Sequence, residues 1–218
     1  MTTDEKKKNV LDVFNEIAER YVEYFGEDWE FKNEIDDFIA SVTPSGRVLD
    51  LGCGSGYISK YITDNGLRCE GIDICDKMIE IANKRYPDNN FSRRDVIDVG
   101  KYFEEDSFDG LIAIYILYLL PKEYLESTLA ALSKILKKDA PFLMVTELGN
   151  GETLVDELLM PEGKTKKALY VYLQKEEEFI QLLKKYNFSV KEKHFYPNIS
   201  PDEIPGDGRL LIKVINQK

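Results

Sequence analysis

Across residues 47–148, short apolar segments alternate with stretches of helical periodicity, and this rhythm constrains the fold more than any other feature of the chain. RVLDL, RCEGID, NFSRRDV, FDGLIAIY and PFLMVTEL read as five strands. The near-continuous apolarity of the fourth is typical of a strand covered on both faces in a parallel sheet. A helix is expected over 55–65, closed by Gly66 in the left-handed position that follows a helix. Met78, Ile79 and Ala82 mark a second, which Asp76 can cap and Pro87 ends. Leu125, Leu129, Leu132, Ile135 and Leu136 mark a third, opening after Pro121. Two amphipathic stripes precede the first strand: Val10, Val13, Phe14, Ile17, Tyr21, Tyr24 and Phe25, then Trp29, Phe31, Ile35, Phe38 and Ile39. VTPSG separates them from the strand as a turn. Beyond the fifth strand, Leu154, Leu158 and Leu159 suggest a short extra helix within a polar insertion. A regular helix around Phe179, Leu182 and Leu183 follows, then SVKEKHFY and RLLIKVIN, two strands able to pair antiparallel at a sheet edge. The order of elements predicts an α/β fold, a mostly parallel sheet with helices on both faces. Ligands of such sheets sit beyond the carboxyl ends of the strands.

VLDLGCGSGYISKYI places Gly52, Gly54 and Gly56 at that end of the first strand. A phosphate-binding P-loop requires Lys and Ser or Thr after the last glycine, whereas Tyr57 and Ile58 follow Gly56. A dinucleotide fingerprint requires a third glycine where Tyr57 stands. What remains is GxGxG with Asp50 just ahead of it, a carboxylate unhelpful to a pyrophosphate and useful to an amine. Taken alone, such a turn is also compatible with no ligand. Two more acids accompany it: Asp73 closes the second strand, where it can accept from ribose hydroxyls, and Asp95 closes the third, where it can accept from an adenine amine. Ile74, Met78 and Val96 can sandwich the ring. Three carboxylates along one sheet edge suit a nucleoside with an amino-acid tail and no phosphate.

At VLDLGCGSG, GIDICDKMIEIA, RRDV and the FDGLIAIYILYLL and LKKDAPFLMVTE segments, the chain resembles the class I S-adenosylmethionine-dependent methyltransferases, in particular the small domains that act on small molecules. The resemblance is close over 47–147 and looser beyond. It implies a Rossmann-like seven-stranded sheet of order 3-2-1-4-5-7-6 with the last strand antiparallel, in a single domain over 1–218. It also implies S-adenosylmethionine as cofactor and S-adenosylhomocysteine as product. Gly52, Cys53, Gly54 and Gly56 would line the methionyl part, Asp50 its amine, Asp73 the ribose, and Asp95 with Val96 the adenine. The backbone at Ala113 and Ile114 would lie beside the ligand. In the family, N-terminal helices cover the cleft. Residues 1–45 are therefore expected to form a lid carrying Tyr21, Tyr24, Phe25 and Trp29, with Tyr21 against the cofactor and Tyr24 and Trp29 toward the acceptor; core packing is the alternative for all four. The insertion at 149–172 is expected to help wall the acceptor site, with Tyr115, Tyr118, Glu147 and Tyr170 as candidate contacts. Tyr172 in the insertion is a further candidate. The chain departs from the family pattern at Leu119, where many relatives carry histidine, and no catalytic residue is assigned.

The methyl of a sulfonium is already activated, so the expected reaction is transfer to an oxygen or nitrogen of a small molecule, driven mainly by positioning. Methylation of a protein or RNA, and a regulatory module without turnover, are the alternatives. A net charge of −11 opposes a polyanionic partner, which makes nucleic acid the weakest of these, while a basic peptide stays open. Three cysteines without a CxxC pair and one histidine, His194, argue against a disulfide framework or a metal site. Cys53 lies at a helix N-terminus, a setting that favours a thiolate, although the family gives it no chemical role. The charged N-terminus and an apolar run of only ten residues, LIAIYILYLL, lead to an expectation of a cytoplasmic protein with no membrane partner, monomeric or homodimeric.

Overall fold

The computed structural model describes residues 1–27, 29–155, 159–160, 163–165, 167–198 and 204–218. Seven strands form the main sheet: β1 (Arg47–Leu51), β2 (Arg68–Asp73), β3 (Asn90–Arg93), β4 (Gly110–Ile114), β5 (Pro141–Leu148), β10 (Phe188–Pro197) and β11 (Gly208–Asn216). Their spatial order is β10-β11-β5-β4-β1-β2-β3. Counted along the main sheet alone, this is the expected 3-2-1-4-5-7-6. β1 pairs parallel with β2 and β4, and only β11 runs against its neighbours.

Side-chain alternation in the strands builds two hydrophobic layers. Leu49, Leu111, Ala113, Phe142, Met144, Leu210 and Ile212 face one core with α6 (Lys122–Ile135) and α7 (Glu176–Lys185). Val48, Ile112, Leu143, Val145 and Leu211 face the other with α2 (Lys32–Ser41) and α3 (Tyr57–Asp64). Every residue of β5 is buried, as a central strand covered on both faces requires. α4 (Asp76–Arg85) packs Ala82 against Phe91 of β3.

α1 (Thr3–Phe25) opens with a capping box in which Thr2 and Glu5 exchange backbone and side-chain hydrogen bonds. It then bridges two parts of the molecule. Ala18 packs on Cys75 and Met78 at the start of α4. Val10, Val13 and Ile17 pack on Leu169 and Val171 of β9 (Leu169–Leu173) and on Tyr118 and Leu119. The Asn9 amide completes the junction by donating to the carbonyl of Ala168 and accepting from the amide of Tyr170.

Three local expectations are corrected. Leu154 lies in a strand, β6 (Gly151–Val155), paired antiparallel with β9. Leu159 belongs to β7 (Leu159–Met160), which pairs with β8 (Gly163–Lys164), and Leu158 falls outside the described residues. The leucine spacing reads equally as a ribbon because the insertion satisfies its backbone across strands. Asp76 does not cap α4, whose first residue it is; the carboxylate of Asp73 takes the Cys75 amide instead. Trp29 and Phe31 precede α2 rather than belonging to it.

Asn216 at the end of β11 is fully buried and closes α6. Its Nδ2 donates to the carbonyls of Ser133 (2.8 Å) and Leu136 (2.7 Å), which the helix end leaves without partners, and its Oδ1 accepts from the Ser133 hydroxyl. Asn216→Ala is expected to lower unfolding free energy by about 1–3 kcal/mol, measured by urea titration. An unchanged midpoint would show that this clasp contributes nothing.

Candidate functional site

The turn after β1 is built on one carbonyl. Ile72 of the neighbouring strand accepts from the amides of both Gly52 (2.8 Å) and Cys53 (3.0 Å). The chain then reverses through Gly52, Gly54 and Gly56 at φ +69°, +50° and +83°, the left-handed region that glycine adopts without strain. A side chain on Gly52 would meet Ile116, and one on Gly56 would stand 2.5 Å from the Phe91 ring. A Cβ on Gly54 would meet no atom within 4 Å, so the tip of the turn faces open space where a ligand can approach the backbone.

Three carboxylates surround this turn. Asp50 is buried and accepts from the Ser59 hydroxyl of α3 at 2.6 Å. Burial pushes its carboxyl up to about 7; the Ser59 bond opposes the shift and the nearby charge of Asp73 adds to it. Asp73 accepts from the amides of Gly54 (3.1 Å) and Cys75 (2.8 Å), tying the glycine turn to the start of α4. Its carboxyl is also raised, by burial, against the pull of those amides. Asp95 accepts from the amide of Ile97 and forms an ion pair with Lys7 of α1. Met78 and Val96 are buried nearby, Ile74 and Ile114 are half-buried, and the Ala113 side chain lies in the α6 core. The parallel register thus gathers Asp50, Cys53, Asp73, Ile74, Asp95, Val96, Ala113 and Ile114 along one edge of the sheet. Cys53 itself packs on Ala82 and Phe91, and burial drives its thiol well above the usual range, so the helix start does not yield a thiolate there. Tyr21 is half-buried on α1, with its ring 5.8 Å from that of Phe14.

A second polar group lies at the ends of β4 and β5. Tyr115 follows β4 with φ +59°, a conformation costing a bulky residue about 1–3 kcal/mol that the surrounding contacts must supply. Its amide donates to Val145, and its ring lies 6.1 Å from that of Phe31. Arg209 Nη1 approaches the Tyr115 hydroxyl at 3.3 Å and donates to both oxygens of Glu30 at 2.8 Å. Arg209 stands opposite the buried Glu147 in the β11–β5 register. Arg209 Nε is buried with no hydrogen-bond partner among the described residues, a condition costing about 1–3 kcal/mol. Tyr118 is buried in the 3-10 turn Leu117–Leu119, and burial raises both it and Tyr115, so each remains a neutral phenol.

The remaining acceptor candidates are placed elsewhere. Tyr170 donates to Glu152 at 2.8 Å, and Lys6 bridges Glu152 and Glu123 beside it. Tyr172 of β9 is half-buried beneath Lys122. Tyr24 is exposed, and Trp29 packs edge-on against Tyr57 and Tyr61 of α3. Leu119 is buried among Val13 and Ile17. His194 is exposed on β10, 3.0 Å from Glu192. Glu30, Arg209, Ser59 and Lys7 were not evident from the sequence. A polar Ser59 on the buried side of α3 was the one available local signal.

Asp50 has a direct consequence for stability. Its folded value lies above the ordinary 3.8, so its contribution is fully present below that value and is lost as pH rises to about 7. Between about pH 4 and about pH 7, denaturant titrations should show the native protein losing stability relative to Asp50→Asn. Parallel pH profiles for the two proteins would refute the burial argument.

No helix among the described residues is long and apolar enough to cross a membrane. Residues 48–139 match the family model described as a methyltransferase domain. The chain is 31% identical over 116 residues to a demethylmenaquinone methyltransferase of Thermotoga maritima, covering 50% of this chain and 49% of that protein. It is 29% identical over 144 residues to a ubiquinone biosynthesis O-methyltransferase of Hahella chejuensis, covering 61% and 58%. The chain thus spans only about half the length of these curated relatives. The crystal structure of magnesium protoporphyrin IX methyltransferase from Synechocystis PCC 6803, with bound S-adenosylmethionine, shares the fold at a TM-score of 0.68 and 18% identity, covering 97% of each chain. The glycine turn, the sheet order and the matched segment agree: residues 48–139 are similar to a methyltransferase domain, on a fold shared with an S-adenosylmethionine-binding structure.

Proposed function

We propose that this protein transfers a methyl group from S-adenosylmethionine to an oxygen or nitrogen of a small-molecule acceptor. The observation that carries the reading is the group of half-buried Tyr115 and buried Tyr118 and Glu147 at the ends of β4 and β5, on the same sheet edge as the glycine turn. In this reading α1 and the β6–β9 ribbon wall the acceptor end, since both pack on Tyr118. An enclosed acceptor site suits a small molecule better than a polymer, and the net charge of −11 opposes RNA. The two relatives are named for demethylmenaquinone and for O-methylation in ubiquinone biosynthesis, which supports an acceptor of small-molecule size.

The cofactor, when bound, supplies a methyl already activated by its sulfonium. The chain supplies position and a site shielded from water. The Gly54 tip admits the methionyl part, and Asp50 faces its ammonium. Asp73 keeps lone pairs for the ribose hydroxyls beyond the two amides it already serves. Asp95 and Val96 hold the adenine, and the neutral phenols of Tyr115 and Tyr118 orient the acceptor. Glu147 receives the proton of its hydroxyl or ammonium.

Asp73→Ala is expected to weaken S-adenosylhomocysteine binding by about 10- to 100-fold in calorimetry, the worth of hydrogen bonds to a charged acceptor. Unchanged affinity would remove Asp73 from the site. If Asp50 faces the ammonium, cofactor binding near pH 6.5 should release a sizeable fraction of one proton, because the cation favours the ionised carboxylate. Titrations in buffers of different ionisation enthalpy measure this release, and Asp50→Asn should abolish it. For the reaction itself, S-adenosylhomocysteine formation should respond to phenols or amines in a mixed panel. A response confined to peptides or RNA would overturn the small-molecule reading.

A further inference from the structure

Arg209 is held in an unusual way for an arginine that serves only structure. Glu30 engages it through one nitrogen, with both carboxylate oxygens on Nη1. The side-on edge of the guanidinium, which ordinarily grips a planar oxygen group, has its Nε buried with no hydrogen-bond partner among the described residues. Three separate segments fix this geometry: Glu30 between α1 and α2, Tyr115 after β4, and Arg209 at the start of β11. The alternation of β11 puts Arg209 on the same face as Leu211, and its register puts it opposite Glu147. A donor and a carboxylate therefore stand side by side at the acceptor end of the sheet.

Charge decides which oxygen group fits. One guanidinium already lies between two carboxylates, Glu30 and Glu147, so a third carboxylate would enter a site with surplus negative charge. An uncharged carbonyl oxygen meets the Nε donor without that penalty. A hydroxyl or amine next to the carbonyl would then face Glu147.

We infer that Arg209 is an acceptor-binding residue, and that the acceptor carries an uncharged carbonyl oxygen for Arg209 Nε beside the hydroxyl or amine that Glu147 addresses. The inference rests on the methyltransferase reading and names its substrate class. For a hydroxyl acceptor the oxygen lone pair forms the new O–CH3 bond as the S–CH3 bond breaks. The bonding pair returns to sulfur to give neutral S-adenosylhomocysteine, and the hydroxyl proton passes to Glu147. The carbonyl stays on Arg209 and is not consumed.

Salicylamide and salicylate are the matched probes, alike in ring and hydroxyl and differing in the charge of the neighbouring group. Calorimetry on the protein saturated with S-adenosylhomocysteine should give tighter binding of salicylamide by more than about tenfold. Arg209→Lys, which keeps the charge without the Nε geometry, and Arg209→Met should each weaken salicylamide by about tenfold or more while leaving S-adenosylhomocysteine affinity unchanged. That unchanged affinity also verifies that the variants fold. Equal binding of the probes, preference for salicylate, no binding of either, or indifference to both variants overturns the acceptor inference alone. Failure of the native protein to bind S-adenosylhomocysteine overturns the reading beneath it.

Discussion

The carbonyl of Ile72 carries the geometry on which the rest of the site depends. By accepting from Gly52 and Cys53 together, it ends the β1–β2 ladder and turns the chain upward through three left-handed glycines. Asp73 lies one residue beyond that carbonyl and secures the turn from the other side, through the Gly54 and Cys75 amides. The first helix after β1 then starts close enough for Ser59 to reach back to Asp50. Three acids that would repel one another in a looser arrangement are instead distributed. Asp50 is held near neutrality by burial, Asp73 is shared between amides, and Asp95 is neutralised by Lys7.

The end proposed to take the acceptor is organised on a different principle. Its polar groups come from chain segments far apart in sequence, brought together where β4, β5 and β11 terminate. Tyr115 remains in a left-handed conformation because the Val145 carbonyl, the Phe31 ring and the Arg209–Glu30 pair all constrain it. Strain at one residue and, at another, a buried donor without a partner among the described residues both cost stability, and such costs persist where a site is shaped for a ligand. α1 joins the two ends by resting on Met78 at the cofactor side and on Tyr118 at the other.

Much of the geometry around the glycine turn was legible in the sequence because its determinants are local. A strand of alternating or continuous apolar residues, a glycine turn and an acid at a strand end each occupy a few consecutive residues, and the parallel topology brings their ends together. Where legibility failed, the competing signals were equal in strength. Leu154 and Leu159 carry a spacing that suits a helix, yet the insertion pairs as strands, since cross-strand hydrogen bonds and burial against α1 outweigh local preference. Asp76 has the residue type of a cap, yet it is already the first residue of α4 and Cys75 holds the cap position.

The sequence by itself determined the α/β alternation and the acids that flank the glycine turn, because period-two and period-3.6 burial and left-handed glycines are properties of short segments, while the order of the sheet was implied by the family resemblance. Only the tertiary structure decided the polar group at the proposed acceptor end. Arg209 meets Glu147 through the register of an antiparallel strand, and meets Glu30 and Tyr115 across long stretches of chain. No local pattern encodes such meetings. They arise when two hydrophobic faces are buried at once and the strand register becomes the only one that keeps both covered.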